Sequence, residues 1–300
     1  MATTPEKIGF VGIGAMGTPM TANLIKAGYK LVVFDADPAR TASFASAHEV
    51  EVAASLVELG RSSDIVITML PDGKIVRKVM CGEKDSFQNC VAAELKPGTT
   101  VIEMSSSSPI GTRELAVLLE QRGVKMIDAP VSGGVKRAVT GELAIMVGGE
   151  QALFEQCRPL LEKMGTQIFH AGPLGAGHAI KALNNYVSAA GLVAACEAVI
   201  AGQRFGLDPE KVVDILNAST GMNNTTKIKV KQFMLSGAFN AGFNMGLMAK
   251  DVRTALEIVQ STKMPALLAQ PCANIWDDAA KTLGPAADHT AMYKFLEENA

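Results

Sequence analysis

Six short segments of the chain hold residues able to do chemistry. The first, Gly12-Ile13-Gly14-Ala15-Met16-Gly17, directly follows the apolar run Ile8-Gly9-Phe10-Val11 and opens a helical pattern. In a strand–turn–helix unit the three glycines have separate jobs. Gly12 permits the tight turn, Gly14 lets backbone approach a pyrophosphate, and Gly17 lets the helix pack close to the strand. The helix N-terminus adds unpaired N–H donors and partial positive charge. Asp35 ends the next apolar run, Leu31-Val32-Val33-Phe34. A carboxylate there accepts hydrogen bonds from a ribose 2′-hydroxyl and repels a 2′-phosphate. The segment reads as a dinucleotide site; the alternative is a purely structural βα turn.

The next two segments, Met69-Leu70-Pro71-Asp72 and Ser105-Ser106-Ser107-Ser108-Pro109, both follow strand-like runs. Ligands of open α/β sheets lie beyond the carboxyl ends of strands. Leu70, Pro71 and the serine hydroxyls are therefore candidates to line a cofactor, and read otherwise as an ordinary turn and a helix N-cap. Asp128-Ala129-Pro130-Val131-Ser132-Gly133-Gly134 offers backbone N–H donors beside a hydroxyl, which suits a small anion such as a carboxylate; the alternative is a flexible loop. In Gly175-Ala176-Gly177-His178-Ala179-Ile180-Lys181-Ala182-Leu183-Asn184-Asn185, Lys181 and Asn185 are spaced to share a helix face. Lysines on helices are usually solvated. A lysine–asparagine pair in so apolar a helix needs a polar reason, and the pair is expected to be buried. The sixth segment, Lys250-Asp251, has the form of a surface charge pair.

The elements that must position these residues follow from hydrophobic period. Short runs rich in Val and Ile, at Ile8–Val11, Leu31–Phe34, Asp64–Leu70, Thr100–Met104, Lys125–Asp128, Leu143–Val147 and Gln167–His170, alternate with helical patterns. That alternation predicts an α/β domain with a parallel, doubly wound sheet. Beyond Gly172 the strand-like runs stop. A long helix is expected over Ala176–Phe205, with further helices opening at Asp208-Pro209 and covering Thr225–Leu235, Gly246–Gln260 and Pro265–Thr282. The expected division is 1–172, a dinucleotide-binding domain, and 173–300, an all-helical domain.

Composition limits the rest. In 300 residues, 48% are hydrophobic and 19% charged, which supports a sizeable core and excludes a disordered chain. A net charge of −2 with no basic run argues against a nucleic-acid partner. No apolar stretch reaches the length expected of a membrane span, and Met1–Lys7 is polar, so a cytoplasmic protein is expected. Five scattered cysteines without CxxC spacing point away from a disulfide framework or a zinc site.

Taken together, and in this order along the chain, the glycine turn from Gly12, Asp128–Gly134, Gly175–Asn185 and Lys250-Asp251 resemble the β-hydroxyacid dehydrogenase family. The resemblance runs from Ile8 to about Trp276 and implies a Rossmann-type domain, then an all-α domain joined by a long helix that contributes to a homodimer or homotetramer. It implies NAD as cofactor, with Gly12, Ile13, Gly14, Ala15, Met16, Gly17, Asp35, Leu70, Pro71, Ser106 and Lys250 on cofactor-contacting positions. Ser132, Gly133 and Gly134 fall on positions that hold the substrate carboxylate. Lys181 falls on the catalytic lysine, a general acid/base, and Asn185 on the asparagine that orients substrate. No metal is implied. Where the family often has Asp-Ser-Ser or Asp-Met-Ser, this chain has Glu103-Met104-Ser105-Ser106, so either serine can make the cofactor contact. Asp35-Ala36 stands where NADP-using relatives tend to have an arginine, which favours NAD. The polar stretch Ser219–Thr226 sits where relatives vary with substrate, and suits extra hydroxyls, as on glycerate or threonate rather than on a methyl-bearing acid.

The implied reaction is reversible hydride transfer between NAD and the C3 hydroxyl of a small 3-hydroxy acid, 3-hydroxyisobutyrate-like. Tartronate semialdehyde, threonate and sulfolactaldehyde-type reductases are the alternatives within the family; the intact Ser132-Gly133-Gly134 favours a carboxylate over a sulfonate. Decarboxylation of a phosphorylated sugar acid is disfavoured by the short helical region. A non-catalytic dinucleotide-binding module is disfavoured by Lys181.

Overall fold

The structure, a computed structural model, describes residues 7–299; Met1–Glu6 and Ala300, which the sequence reading covered, lie outside them. The chain forms two compact units, Met1–Lys181 and Ala182–Ala300.

The first unit is built on a sheet of nine strands: β1 (Lys7–Val11), β2 (Lys30–Phe34), β3 (Glu51–Val52), β4 (Ile65–Thr68), β5 (Thr100–Glu103), β6 (Lys125–Asp128), β7 (Val131–Ser132), β8 (Leu143–Gly148) and β9 (Gly165–Gly172). The spatial order is β3-β2-β1-β4-β5-β6-β8-β7, with β9 on β8. Its first six strands are parallel, in the doubly wound order, with the reversal between β1 and β4. Alternate residues of these strands enter two cores. Ile8, Phe10, Val33, Ile67, Ile102 and Ile127 lie on one face, and Val11, Val32, Val66, Val101 and Met126 on the other. Burial on both faces is why the strands read as continuous apolar runs rather than as a polar–apolar alternation.

The sheet departs from the expected all-parallel form at one edge. β8 runs antiparallel to β6 and β7: after Asp128 the chain forms β7 and a short helix, Gly134–Thr140, and re-enters the sheet in the opposite direction. The two-residue β3 carries too little apolar pattern to be read from sequence.

The helices of this unit are α1 (Gly17–Lys26), α2 (Pro38–Ala47), α3 (Leu56–Ser62), α4 (Gly73–Cys81), α5 (Pro109–Glu120), α6 (Gly134–Thr140) and α7 (Gln151–Leu161). Three start at aspartate or serine caps that accept first-turn N–H groups: Asp37 for α2, Ser55 for α3 and Asp72 for α4.

A 29-residue helix, α8 (Ala176–Arg204), continues from the first unit into the second. Among the described residues it alone is long and apolar enough by composition to cross a membrane. Ala189, Leu192, Val193, Cys196, Val199 and Ile200 instead fill the core of the helical unit, as in core helices of soluble proteins. That core also takes in α9 (Pro209–Asn217), α10 (Met245–Ser261), α11 (Ala269–Leu283) and α12 (Met292–Asn299), and centres on the fully buried Trp276. α11 starts at Ala269 rather than at Pro265, and α12 adds a helix beyond those expected.

Thr225–Leu235 is helical as expected, but it is wound as a π-helix. This winding absorbs the polar stretch before it. Asn223 Oδ1 accepts the N–H groups of Thr225 and Thr226 at 2.8 and 3.0 Å, and Asn223 Nδ2 donates to Gly191 O. Thr225 and Thr226 are buried. Asn223, Thr225 and Thr226 thus close the helix start, while Ser219, Thr220 and Asn224 of the same stretch are exposed.

Candidate active site

The carboxyl ends of β1, β2, β4, β5 and β6 carry the glycine turn, Asp35, Leu70-Pro71, Ser105-Ser106 and Asp128–Gly134. The three glycines of the turn are needed for different reasons. Gly12 has φ +103°, and a Cβ there would collide with Met69 O. A Cβ on Gly17 would overlap Gly12 O. Both are demanded by the fold itself. A Cβ on Gly14 would meet only Arg40 Nη1, at 3.8 Å. Interior packing therefore does not ask for glycine at 14, whereas close approach of a phosphate to bare backbone does. The half-buried Gly14 and exposed Ala15 can hold a dinucleotide pyrophosphate, and Ile13, Met16 and Gly17 complete the turn.

Asp35 is tied into this turn. Its Oδ2 accepts Ile13 N–H at 2.8 Å and its Oδ1 accepts Asp37 N–H at 2.9 Å. Arg40, on α2, brings Nη1 to 3.9 Å from Asp35 Oδ1 and Nε to 3.4 Å from Asp37 Oδ2. Sequence reasoning missed this arginine because it lies past the strand and reaches back only through the first turn of α2.

Ser105 and Ser106 differ in burial. Ser105 is 1% exposed; its Oγ accepts Leu70 N–H at 2.9 Å and its own N–H goes to Glu103 Oε1 at 2.7 Å. Ser105 is thus the internal tie between β4 and β5, and Ser106 is the half-buried hydroxyl at the strand end. Ser132 is half-buried, while Gly133 and Gly134 are exposed with φ of +131° and +67°, so the turn depends on backbone that glycine adopts freely. A side chain at Gly133 would also meet Arg137. α6, which starts at Gly134, packs on α1, with Asn23 Nδ2 donating to Ala138 O at 2.8 Å. An open cavity of about 660 Å³ is lined by Gly14, Ala15 and Thr18 on one side and Val135 and Val139 on the other.

The sequence reading missed a buried polar cluster behind these turns. Asp128 and Glu103 are register partners on β6 and β5, and both are buried. Asp128 Oδ1 accepts Gly175 N–H at 2.6 Å and Oδ2 accepts His178 N–H at 2.7 Å, which caps the start of α8 from a distant strand. His178 Nε2 lies 2.8 Å from Glu103 Oε2 and 3.1 Å from Ser105 O; its Nδ1 lies 2.8 Å from Thr112 Oγ1. Burial disfavours charge on both groups, but their mutual attraction and hydrogen bond outweigh it. The His178 imidazole is held above its ordinary range and the Glu103 carboxyl below its own. Two carboxylates ending adjacent apolar strands were the available signal, since buried charges need partners.

Lys181 sits half-buried on α8, one turn past His178, rather than fully buried as expected. In the helical unit Asn185 is 7% exposed and donates Nδ2 to Asp251 Oδ2 at 2.6 Å. Lys250 Nζ lies 3.4 Å from Asp251 Oδ1. Asp251 is 4% exposed, so Lys250-Asp251 is not a surface pair but the partner of Asn185.

A glycine turn at the switch point of a doubly wound sheet is the arrangement of a dinucleotide-binding protein. Residues 7–172 match the family profile described as the NAD binding domain of 6-phosphogluconate dehydrogenase. Residues 175–296 match that described as NAD-binding of NADP-dependent 3-hydroxyisobutyrate dehydrogenase. The chain is 36% identical to 2-(hydroxymethyl)glutarate dehydrogenase of Eubacterium barkeri, over 97% of this chain and 95% of that protein. It is 35% identical to 2-hydroxy-3-oxopropionate reductase of Escherichia coli K12, over 97% of each. The solved structure of Mycobacterium tuberculosis 3-hydroxyisobutyrate dehydrogenase with L-serine superposes with a TM-score of 0.87 at 36% identity, covering 98% of this chain and 99% of that one. The chain therefore belongs to the β-hydroxyacid dehydrogenase family and is an NAD(P)-dependent hydroxyacid dehydrogenase.

The geometry around Gly14 makes a separable expectation. Gly14→Ala should weaken NADH binding, read by fluorescence titration, by about tenfold or more, ~1.4 kcal/mol, with Tm within about 2 °C of wild type. Unchanged NADH affinity would show that no phosphate approaches this backbone.

Proposed function

We propose that the enzyme oxidises and reduces the C3 carbon of a small 3-hydroxy acid of the 3-hydroxyisobutyrate type, using NAD. The observation that carries the reading is the shared cavity: the glycine turn and the helix that begins at Gly134 open on the same space. A cofactor held at the first and an acid held by Ser132, Gly133 and Gly134 would meet there. The relatives' names fit one substrate outline. 3-Hydroxyisobutyrate, 2-(hydroxymethyl)glutarate and the L-serine of the solved structure each place a hydroxymethyl group on the carbon that bears a carboxylate. The substituent on that carbon is what differs, and a methyl is the group favoured; glycerate-type and threonate-type acids are the alternatives.

When bound, the nicotinamide supplies the hydride exchange. The chain's task is then to hold the carboxylate, fix the hydroxyl and move its proton. Exposed N–H groups of Gly133 and Gly134 with the Ser132 hydroxyl suit the carboxylate. Lys181 takes the hydroxyl proton on oxidation and returns it on reduction, and Asn185, one turn along the same helix, orients substrate without adding charge. Leu70, Pro71, Ser106 and Lys250 complete the cofactor contacts. The same reading takes the protein as a soluble, cytoplasmic homodimer or homotetramer, which would cover exposed apolar side chains such as Val187, Ile215 and Leu267.

NAD is favoured over NADP because a 2′-phosphate would set further negative charge against Asp35, whose carboxylate is held in place by two N–H groups. Arg40 is the nearby cation, and it is already shared between Asp35 and Asp37. Wild-type kcat/KM should favour NAD by about tenfold or more, ~1.4 kcal/mol, and comparable values for the two cofactors would refute this role of Asp35. Proton transfer is tested by Lys181→Arg and Lys181→Ala with 3-hydroxyisobutyrate as substrate. Both should lose about two to four orders of magnitude in kcat with NADH binding retained, since arginine does not give up its proton at working pH. An arginine variant that keeps most of its kcat would reduce Lys181 to a positive charge.

A further inference from the structure

We propose that the buried pair of His178 with Glu103 is a positioning device for the proton-transferring lysine: it fixes the first turn of α8 on the strand ends and so sets where Lys181 presents its amine. This rests on the reading of Lys181 given above. His178 is held from three elements. Glu103 and Ser105 O at the end of β5 face its Nε2, Thr112 on α5 faces its Nδ1, and Asp128 at the end of β6 receives its backbone N–H.

Each ring nitrogen faces polar partners. Thr112 Oγ1 lies 3.0 Å from Ser108 O and 2.8 Å from His178 Nδ1, and Asp128 Oδ2 lies 3.5 Å from the same nitrogen. Nε2 lies 3.1 Å from Ser105 O and 2.8 Å from Glu103 Oε2, so a proton is held between the ring and that carboxyl. The carboxylates of Glu103 and Asp128 hold the His178 imidazole above its ordinary range, although it stands in the first turn of a helix, where the macrodipole disfavours a cation. A well-packed apolar residue would serve stability there as well or better. What the cluster adds, through the contacts of His178 with Ser105 O, Thr112 Oγ1 and Asp128 Oδ2, is a directional constraint on a helix in which each residue of slip means a rotation of about 100° and a rise of about 1.5 Å. Lys181 follows one turn later on the same helix. Ser105 also receives Leu70 N–H, so the same strand end that holds His178 holds the loop proposed to line the cofactor.

The experiment measures single-turnover kcat and NADH dissociation constants for His178→Gln, Glu103→Gln and Thr112→Val, alone and with Lys181→Ala. Thr112→Val removes only the hydroxyl partner of Nδ1 and keeps the volume, so it reports even where the His178 variant does not fold. Each single variant should lower kcat by about ten- to a hundredfold, the scale of an ångström of misplacement. NADH affinity should stay within about twofold, and no further loss should appear in the Lys181→Ala background. The paired His178→Gln/Glu103→Gln variant should recover part of the loss, since no lone buried charge remains. Wild-type kcat in the folded variants, or losses that multiply with that of Lys181→Ala, would overturn the positioning role and leave the lysine reading standing. Full activity in Lys181→Ala alone would overturn the lysine reading, and this proposal with it.

Discussion

One buried carboxylate, Asp128, closes the start of the longest helix in the chain. α8 has no capping side chain of its own: the residues before it are Pro173, Leu174 and Gly175. Its first N–H groups would be left without partners in a buried setting, at a cost of about 1–3 kcal/mol each. Asp128 reaches them from the end of β6, with both oxygens engaged. A carboxylate at a helix N-terminus is also on the favourable end of the helix dipole. The contact joins the sheet to the helix that carries Lys181, and the placing of that lysine depends on it.

The glycines around Asp128 follow from its seat. A Cβ on Gly148 would collide with Asp128 Oδ1, and one on Gly177 would collide with Met146 O and crowd Asp128 Oδ2. The first turn of α8 can approach β8 this closely only because both positions lack a side chain. Gly175, with φ +87°, turns the chain so that its own N–H points at the carboxylate. The stretch Gly175-Ala176-Gly177-His178 is therefore fixed by the architecture around Asp128, and Lys181 inherits its place from that stretch.

Much of this was legible in the sequence where a local pattern decides the outcome. The parallel strands were visible as Val- and Ile-rich runs because both faces of the sheet are buried. The glycine turn was visible because backbone conformation and close packing leave no other residue possible at Gly12 and Gly17. The direction of β8 was missed because it is set by how the chain re-enters the sheet, not by side-chain pattern, and the two-residue β7 carries too little pattern to read. The roles of Ser105, Asp251 and His178 were hidden because each is defined by a partner far away along the chain. The capping role of Asn223 at the start of the π-helix was hidden because sequence does not distinguish polar groups that face a ligand from those that cap a helix.

The central claim is that Asp128 holds the first turn of α8, and hydrogen exchange of the whole protein, Asp128→Asn against wild type, tests it most directly. Replacing one oxygen by an amide group removes one charge-assisted acceptor, worth about 1.5–3 kcal/mol. Exchange at the amides of Gly175 and His178 is expected to speed up by about tenfold or more, while protection in β1 and the glycine turn is unchanged. Equal protection of Gly175 and His178 in the two proteins would contradict the account, since the start of α8 would then be held by something other than this carboxylate.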